Sequence, residues 1–313
     1  MNIYNNVSEF DASIPTVVTI GTFDGVHLGH RKIIQRLIGS AQKENLQTAL
    51  LTFYPHPRMV LQQSSDLKLI NTIEERKLIL KETGLEHLIV HPFTLEFSRL
   101  TARAYVEEIL VKGLNAKKIV IGYDHHFGRN RTADINDLKA FGEEFNFEVD
   151  EISKQDIEDV AVSSTKIRRS LQAGDLEKAN EYLARPFFLS GEIIKGKGLG
   201  RNMGYPTANL KIEESYKLIP KEGVYVVASV IEGDKYFGMM NIGTNPTVGG
   251  QKQSIETYFF GLDMDLYGKH LHIQVLKRIR SEVKFDGLEA LIKAMKADEV
   301  FAKNYIKLLN QNE

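Results

Sequence analysis

Between residue 16 and about residue 183, short runs rich in Val, Ile, Leu and Phe alternate with longer stretches of helical periodicity, and at Arg185-Pro186 the alternation stops. Strands that alternate with helices need crossover connections, so the first 185 residues are expected to be an α/β domain built on a parallel sheet. The strand candidates are 17–20, 48–53, 87–90, 118–121 and 147–152. Ile33, Ile34, Leu37, Ile38 and Ala41 fall on one helical face, and Thr72 with Glu75 forms a capping box for a helix running to Lys81. Beyond Arg185 glycines become denser, 14 in the last 128 residues against 10 in the first 185, and the strand-like runs lose their helical partners. Runs at 187–194, 224–231, 236–241, 255–260 and 270–276, separated by Gly-containing turns, predict an all-β half, a closed or nearly closed barrel. Leu288, Leu291, Ile292, Met295, Phe301 and Ile306 give the stretch from Asp286 to about Leu309 a helical stripe that would pack on that barrel. The expected domains are 1–185 and 186–313.

Charge and composition narrow the function. Forty Lys and Arg against 41 Asp and Glu leave a net charge of −1 on 313 residues, so nucleic acid held by bulk charge is not expected. The balance divides into −3 for residues 1–185 (23 basic, 26 acidic) and +2 for residues 186–313 (17 basic, 15 acidic). Anionic ligands would therefore have to be held by local amides, histidines and metal ions. No run approaches the roughly 18 apolar residues of a membrane span. The absence of cysteine removes disulfides, thiolate metal sites and cysteine nucleophiles, and the polar start MNIYNNVSEFDASIP lacks signal-peptide character. A cytoplasmic protein is expected. Its oligomeric state is left open between a monomer and a homo-oligomer.

The first strand candidate runs into GTFDGVHLGHRKII, a glycine-containing loop ending where a helix begins. A helix N-terminus presents unpaired N–H groups and the positive end of its dipole, so it stabilises a phosphate without a basic side chain. Gly29 would let a nucleotide approach the backbone, and the flanking His27 and His30 would donate hydrogen bonds to phosphoryl oxygens. A loop of internally satisfied histidines and a zinc-binding His pair are the alternatives. The SSTKIR stretch at 163–168 offers hydroxyls and cations at the opening of a helix, suited to a triphosphate tail or to N-capping alone.

In the second half, GEIIKGKGLGRNMGYPTANL carries glycines at 196, 198, 200 and 204, a flap whose amides could close over phosphates beside Lys195, Lys197 and Arg201. It lacks the P-loop pattern, and a glycine-rich barrel corner is the alternative. Thr207 and Asn209 stand two apart, on one face of an extended segment, and offer hard oxygen ligands suited to Mg²⁺.

VVTIGTFDGVHLGH resembles the H-x-G-H signature of the nucleotidyltransferase superfamily, specifically the bacterial bifunctional riboflavin kinase/FAD synthetases. The resemblance continues through LTFYPHP, IGYDHHFG and VSSTKIRRSL in the first half, and through PTAN, GVYVVASV, NIGTNPTVGG and IETYFFGLDMDLYG in the second. It implies a Rossmann-like nucleotidyltransferase domain with a parallel sheet, followed by an antiparallel β-barrel riboflavin kinase domain with a C-terminal helix. The implied activities are phosphorylation of riboflavin to FMN by ATP and adenylylation of FMN to FAD with release of pyrophosphate. ATP is the co-substrate, flavins are substrates and products, and Mg²⁺ is the cofactor.

By the same resemblance His27, His30 and Glu256 would be catalytic, the last as general base. Gly21, Phe23, Gly29, Asp124, Ser163, Ser164, Thr165, Arg168, Gly196, Lys197, Gly198 and Gly200 would bind nucleotide phosphates. His56, Pro57 and Arg280 would contact flavin, and Thr207 and Asn209 would hold the metal. For Glu256 the alternative is an outward-facing strand carboxylate, and for Arg280 a surface ion pair. His125 and His126 depart from the family pattern and are read as surface or supporting groups.

Overall fold

The computed structural model describes residues 1–61, 66–123, 125–153, 162–196, 200, 204–247 and 250–311, with the backbone alone given for 245–247 and 250–252. The chain divides into two compact units, Met1–Ser164 and Thr165–Glu313.

The first unit is a six-stranded sheet in the order β1-β4-β3-β2-β5-β6. Its strands are β1 (Asn2–Tyr4), β2 (Thr16–Ile20), β3 (Gln47–Tyr54), β4 (His87–Pro92), β5 (Ala116–Gly122) and β6 (Glu148–Ile152), and every pairing is parallel. All five residues of β2 are buried, as a strand covered on both faces requires. The crossovers carry α1 (Leu28–Glu44), α2 (Pro57–Leu61), α3 (Ile73–Lys81), α4 (Ala102–Ala104), which opens into a π-helical stretch over Tyr105–Gly113, and α5 (Ile135–Phe145). The Thr72–Glu75 capping box forms as expected: each side chain accepts from the other's backbone N–H, an arrangement that stabilises by about 1 kcal/mol. Edge strand β1 is absent from the sequence expectation because three residues, two of them polar by type at the edge, show no period; it forms by pairing with 87–89 of β4. From β2 the chain crosses to β3 on one side, while β5 lies on the other, so the loop after β2 opens at the point where the strand order reverses. Open parallel sheets bind ligands in that crevice, beyond the carboxyl ends of the strands.

The second unit opens with α6 (Ser164–Ala173), which starts at the division, and α7 (Leu176–Leu183). The Asn180 amide of α7 donates to the Val275 carbonyl at 3.1 Å and accepts from the Phe187 N–H at 2.7 Å, fixing that helix to the barrel. The barrel strands are β7 (Phe187–Ile194), β8 (Ala208–Lys211), β9 (Gly223–Ile231), β10 (Asp234–Thr247), β11 (Gly250–Phe259) and β12 (His270–Arg280). They close in the order β10-β11-β8-β7-β12-β9, all antiparallel, which leaves no open sheet edge. Five strands match the expected runs, with β10, β11 and β12 longer than expected. The sixth, β8, lies within the segment read only as extended.

The C-terminal stripe forms one helix, α8 (Leu288–Asn310). Its Ala302 is fully buried with Tyr205, Val226 and Met239, and Met295, Tyr305 and Ile306 pack around that cluster. The α/β-then-barrel architecture expected from the sequence is the one observed.

Candidate active sites

The loop after β2 is strained and heavily anchored. Phe23, Gly25 and Val26 all have positive φ (47°, 91° and 42°), a conformation that is costly for a β-branched residue such as Val26 and persists only when its surroundings impose it. The surroundings are polar anchors. The fully buried Asp24 carboxylate accepts the Ile70 and Asn71 N–H groups, each at 3.2 Å, and the Asp24 carbonyl accepts the Ser164 hydroxyl at 2.9 Å. Beneath the loop the Arg76 guanidinium, 1% exposed, donates to Thr52 Oγ1 at 3.4 Å, and that hydroxyl donates to the Thr22 carbonyl at 3.3 Å. Sequence reading passes over these supports: Arg76 lies on an ordinary helix and reads as a surface cation, and only the place of Asp24 inside GTFDG hints at its role.

His27 is the N-cap of α1, its Nδ1 accepting the His30 N–H at 3.4 Å, and the two imidazoles stack with centroids 3.7 Å apart. Gly29 makes room for this, since a Cβ there would lie 3.3 Å from the His27 ring. Phe23 folds back over the site, its ring 4.9 Å from that of His30, and a Cβ at Gly21 would come within 3.0 Å of it. His30 Nδ1 is shielded from solvent and makes no hydrogen bond. Burial, reinforced by the neighbouring His27 and the Arg76 cation, holds the His30 imidazole well below the ordinary histidine range, so at neutral pH it is uncharged. The loop thus presents a helix N-terminus with two stacked imidazoles, that of His30 uncharged, at the sheet's switch point.

The remaining expected residues of this half are placed as follows. Ser163, just before α6, and Thr165 are exposed and Arg168 is half-buried, while Ser164, the last residue of the first unit, donates its hydroxyl to the Asp24 carbonyl within that unit. His56, buried, follows the cis Tyr54-Pro55 bond at the end of β3 and accepts the Arg58 N–H on Nδ1 at 3.1 Å; Pro57 opens α2. His126 is exposed and His125 stacks on Phe127 with centroids 6.0 Å apart. Asp124 lies outside the described residues, as do Lys197, Gly198 and Arg201 of the flap.

A second constellation forms where β8 meets β11. Asn209 pairs in register with Glu256 and Ala208 with Thr257. Ala208 and Leu210 are buried, as are Ile255, Thr257 and Phe259, so the two-residue period turns Thr207, Asn209 and Glu256 the other way. The Thr207 hydroxyl donates to Glu256 Oε2 at 3.2 Å. The Asn209 carboxamide packs against Gly196, where a Cβ would come within 2.2 Å of its Nδ2. Gly200 is just as confined: a Cβ would stand 2.2 Å from the Tyr205 carbonyl, and the Gly200 carbonyl accepts the Tyr205 N–H at 2.9 Å. One hydroxyl, one carboxamide and one carboxylate, all half-buried, are thereby gathered beside a glycine-lined strand end, a donor set suited to a hard cation and to accepting a proton. Arg280, in contrast, is engaged by Asp298: Nε donates at 2.9 Å to Oδ1 and Nη2 at 2.8 Å to Oδ2, the ion pair weighed as its alternative role.

Comparison with known proteins covers both units. Residues 10–166 match the FAD synthetase family model and residues 183–306 the riboflavin kinase family model. The chain is 38% identical over 288 residues to the bifunctional riboflavin kinase/FMN adenylyltransferase of Listeria monocytogenes, covering 91% of each chain. It is 34% identical over 293 residues to that of Escherichia coli, covering 93% of each. A crystal structure from Streptococcus pneumoniae, described as a macrolide-efflux protein, superposes with a TM-score of 0.86 at 32% identity, over 97% of this chain and 98% of the other. Among the described residues no helix is long and apolar enough to cross a membrane.

Proposed function

The chain belongs to the bifunctional riboflavin kinase/FMN adenylyltransferase family, and from that premise we propose how its residues divide two successive reactions. Residues 186–313 phosphorylate riboflavin to FMN, and residues 1–185 adenylylate FMN to FAD.

In the kinase reaction the ribityl 5′-hydroxyl attacks the γ-phosphorus of ATP, the bond from that phosphorus to the bridging oxygen breaks, and ADP leaves. Glu256 accepts the hydroxyl proton as the new O–P bond forms. Thr207 and Asn209 would hold Mg²⁺, a fit supported by the Thr207 hydroxyl at the Glu256 carboxylate, by the register that sets Asn209 opposite Glu256 and by the side-chain-free space at Gly196. Mg²⁺ held there would supply neutralisation of phosphate charge. Gly196, Lys197, Gly198 and Gly200 line the phosphates through backbone amides. Arg280 fixes the end of β12 to the C-terminal helix.

In the adenylyl transfer an FMN phosphate oxygen attacks the α-phosphorus of ATP in line and pyrophosphate departs. The nucleophile is already an anion, so the residues align and stabilise charge without acting as bases. His27 and His30 hydrogen-bond the transferring phosphoryl group. The α1 N-terminus and Gly29 accept it closely, and Gly21 and Phe23 shape the floor. Ser163, Ser164, Thr165 and Arg168 serve the leaving side, with Asp124 at the nucleotide and His56 and Pro57 at the flavin phosphate. Riboflavin, FMN and ATP are the partners, and the cytoplasm is the proposed location.

The observation that carries the reading is the gathering of Thr207, Asn209 and Glu256 at one strand crossing, in a chain whose other unit holds a histidine-capped helix at a sheet switch point. Incubation of the purified protein with riboflavin, ATP and Mg²⁺, followed by chromatography, should show FMN rising first and FAD after it. Absence of FMN would remove the kinase assignment, and FMN without FAD the transferase assignment.

A further inference from the structure

Tyr205 immediately precedes the PTAN segment and makes contacts that the proposed kinase chemistry does not use. Its side chain is buried, 6% exposed, yet its hydroxyl finds a carboxylate: it donates to Glu299 Oε2 of α8 at 2.9 Å. Lys303 pairs with the same carboxylate at 2.6 Å, one helical turn further along. The Tyr205 ring packs edge-on against Tyr258, two residues past Glu256 on β11, with centroids 5.0 Å apart. Its backbone N–H holds the Gly200 carbonyl. One residue therefore touches the flap edge through its backbone and the strand bearing Glu256 and the C-terminal helix through its side chain, and stands two residues from Thr207.

A hydrogen bond from a buried phenol to an ionised carboxylate is directional and stronger than a neutral one. Lys303 holds the Glu299 carboxyl below the ordinary glutamate range, so the acceptor of the Tyr205 hydrogen bond is ionised at neutral pH. The neighbouring Asp298, itself buried, is bound by Arg280 of β12, so two adjacent acids tie α8 to the end of β12 and to the segment that enters β8. The helix behaves here as a bracket.

We propose that Tyr205 is a positioning residue of the riboflavin kinase site: the Tyr205–Glu299 hydrogen bond uses the C-terminal helix to hold residues 204–209 where Thr207, Asn209 and Glu256 converge. The inference rests on the kinase reading of those three residues, and the test separates the two. Tyr205→Phe removes one oxygen and leaves the ring against Tyr258. Glu299→Ala removes the acceptor, and Glu299→Gln keeps an acceptor oxygen. Each variant, the Tyr205→Phe/Glu299→Ala double variant and Glu256→Gln are assayed for riboflavin phosphorylation (kcat, and KM for ATP and riboflavin), for adenylylation of supplied FMN, and for thermal midpoint.

The expected result is a roughly tenfold fall in kinase kcat for Tyr205→Phe and for Glu299→Ala, with no further fall in the double variant and substantial rescue in Glu299→Gln. FMN adenylylation and the KM for riboflavin should hold within about twofold. Unchanged kinase kcat in Tyr205→Phe, or losses that add in the double variant, overturn the proposal. So does a parallel fall of both activities with the thermal midpoint, because that marks general destabilisation. If Glu256→Gln keeps wild-type phosphorylation, the kinase reading itself fails, whatever Tyr205 does.

Discussion

A single buried imidazole illustrates how environment sets chemistry at the residue scale. His30 keeps Nδ1 unbonded in a desolvated site beside His27 and Arg76, and all three influences disfavour its proton. The consequence extends to stability. An unfolded His30 takes up a proton below about 6.5 while the folded one does not, so folding stability is complete above that pH. It is lost progressively as pH falls from there toward the depressed folded value, at about 1.4 kcal/mol per pH unit for the group while the window lasts. His87, buried and hydrogen-bonded to Tyr4 and Gln47, and His91 are shifted the same way and deepen the effect. Moving the wild-type protein from pH 7.5 to 5.5 should lower its thermal midpoint, and His30→Gln should fall less over the same interval; equal falls would show that His30 is not held neutral by the fold. His27 and His30 are legible in the sequence because H-x-G-H sits at a strand-to-helix turn. Their supports are not. Asp24 reaches residues 70 and 71, and Arg76 reaches Thr52, contacts that exist only once the sheet has formed.

At the scale of elements, the kinase constellation depends on register. Asn209 lies opposite Glu256 because β8 pairs with β11, and a slip of one residue would turn Thr207 and Asn209 toward the barrel interior. Gly196 guards this arrangement, since Ile194 of the adjoining β7 pairs with Asn209 and the chain beyond it runs across the carboxamide. Gly196→Ala places a methyl 2.2 Å from the Asn209 Nδ2 as it stands, so the amide must rotate or the strand end must move. The expected outcome is at least a tenfold loss of riboflavin phosphorylation with a higher Mg²⁺ requirement, and unchanged adenylylation of FMN. Full kinase activity at ordinary Mg²⁺ would show that Asn209 does not serve as the ligand. Most strands and the Thr72 cap could be read from period and cap chemistry, because buried apolar runs and capping boxes are local patterns. The four-residue β8 could not, since it is short and is held between β7 and β11, the latter 47 residues on at Asn209–Glu256. The Tyr205–Glu299 bond escaped for the same reason, as 94 residues separate its partners.

For the whole molecule, the change of pattern at Arg185-Pro186 marks the passage from a parallel sheet to a closed barrel, and each architecture carries its own set of polar side chains. Neither half has the net charge to hold nucleotides by bulk attraction, and in the proposed reading each uses placed groups instead: imidazoles and a helix N-terminus in one, oxygens and glycine-lined backbone in the other. Sites built this way should be separable by single substitutions. The most direct test uses two variants, His30→Ala and Glu256→Gln, each incubated alone and then mixed, with riboflavin, ATP and Mg²⁺, while FMN and FAD are followed by chromatography. His30→Ala alone should stop at FMN, and Glu256→Gln alone should form FMN roughly 10²–10⁴-fold more slowly than wild type. The mixture should form FAD, FMN made by the first variant being adenylylated by the second. FAD from His30→Ala alone, or near-normal FMN from Glu256→Gln alone, would contradict the account.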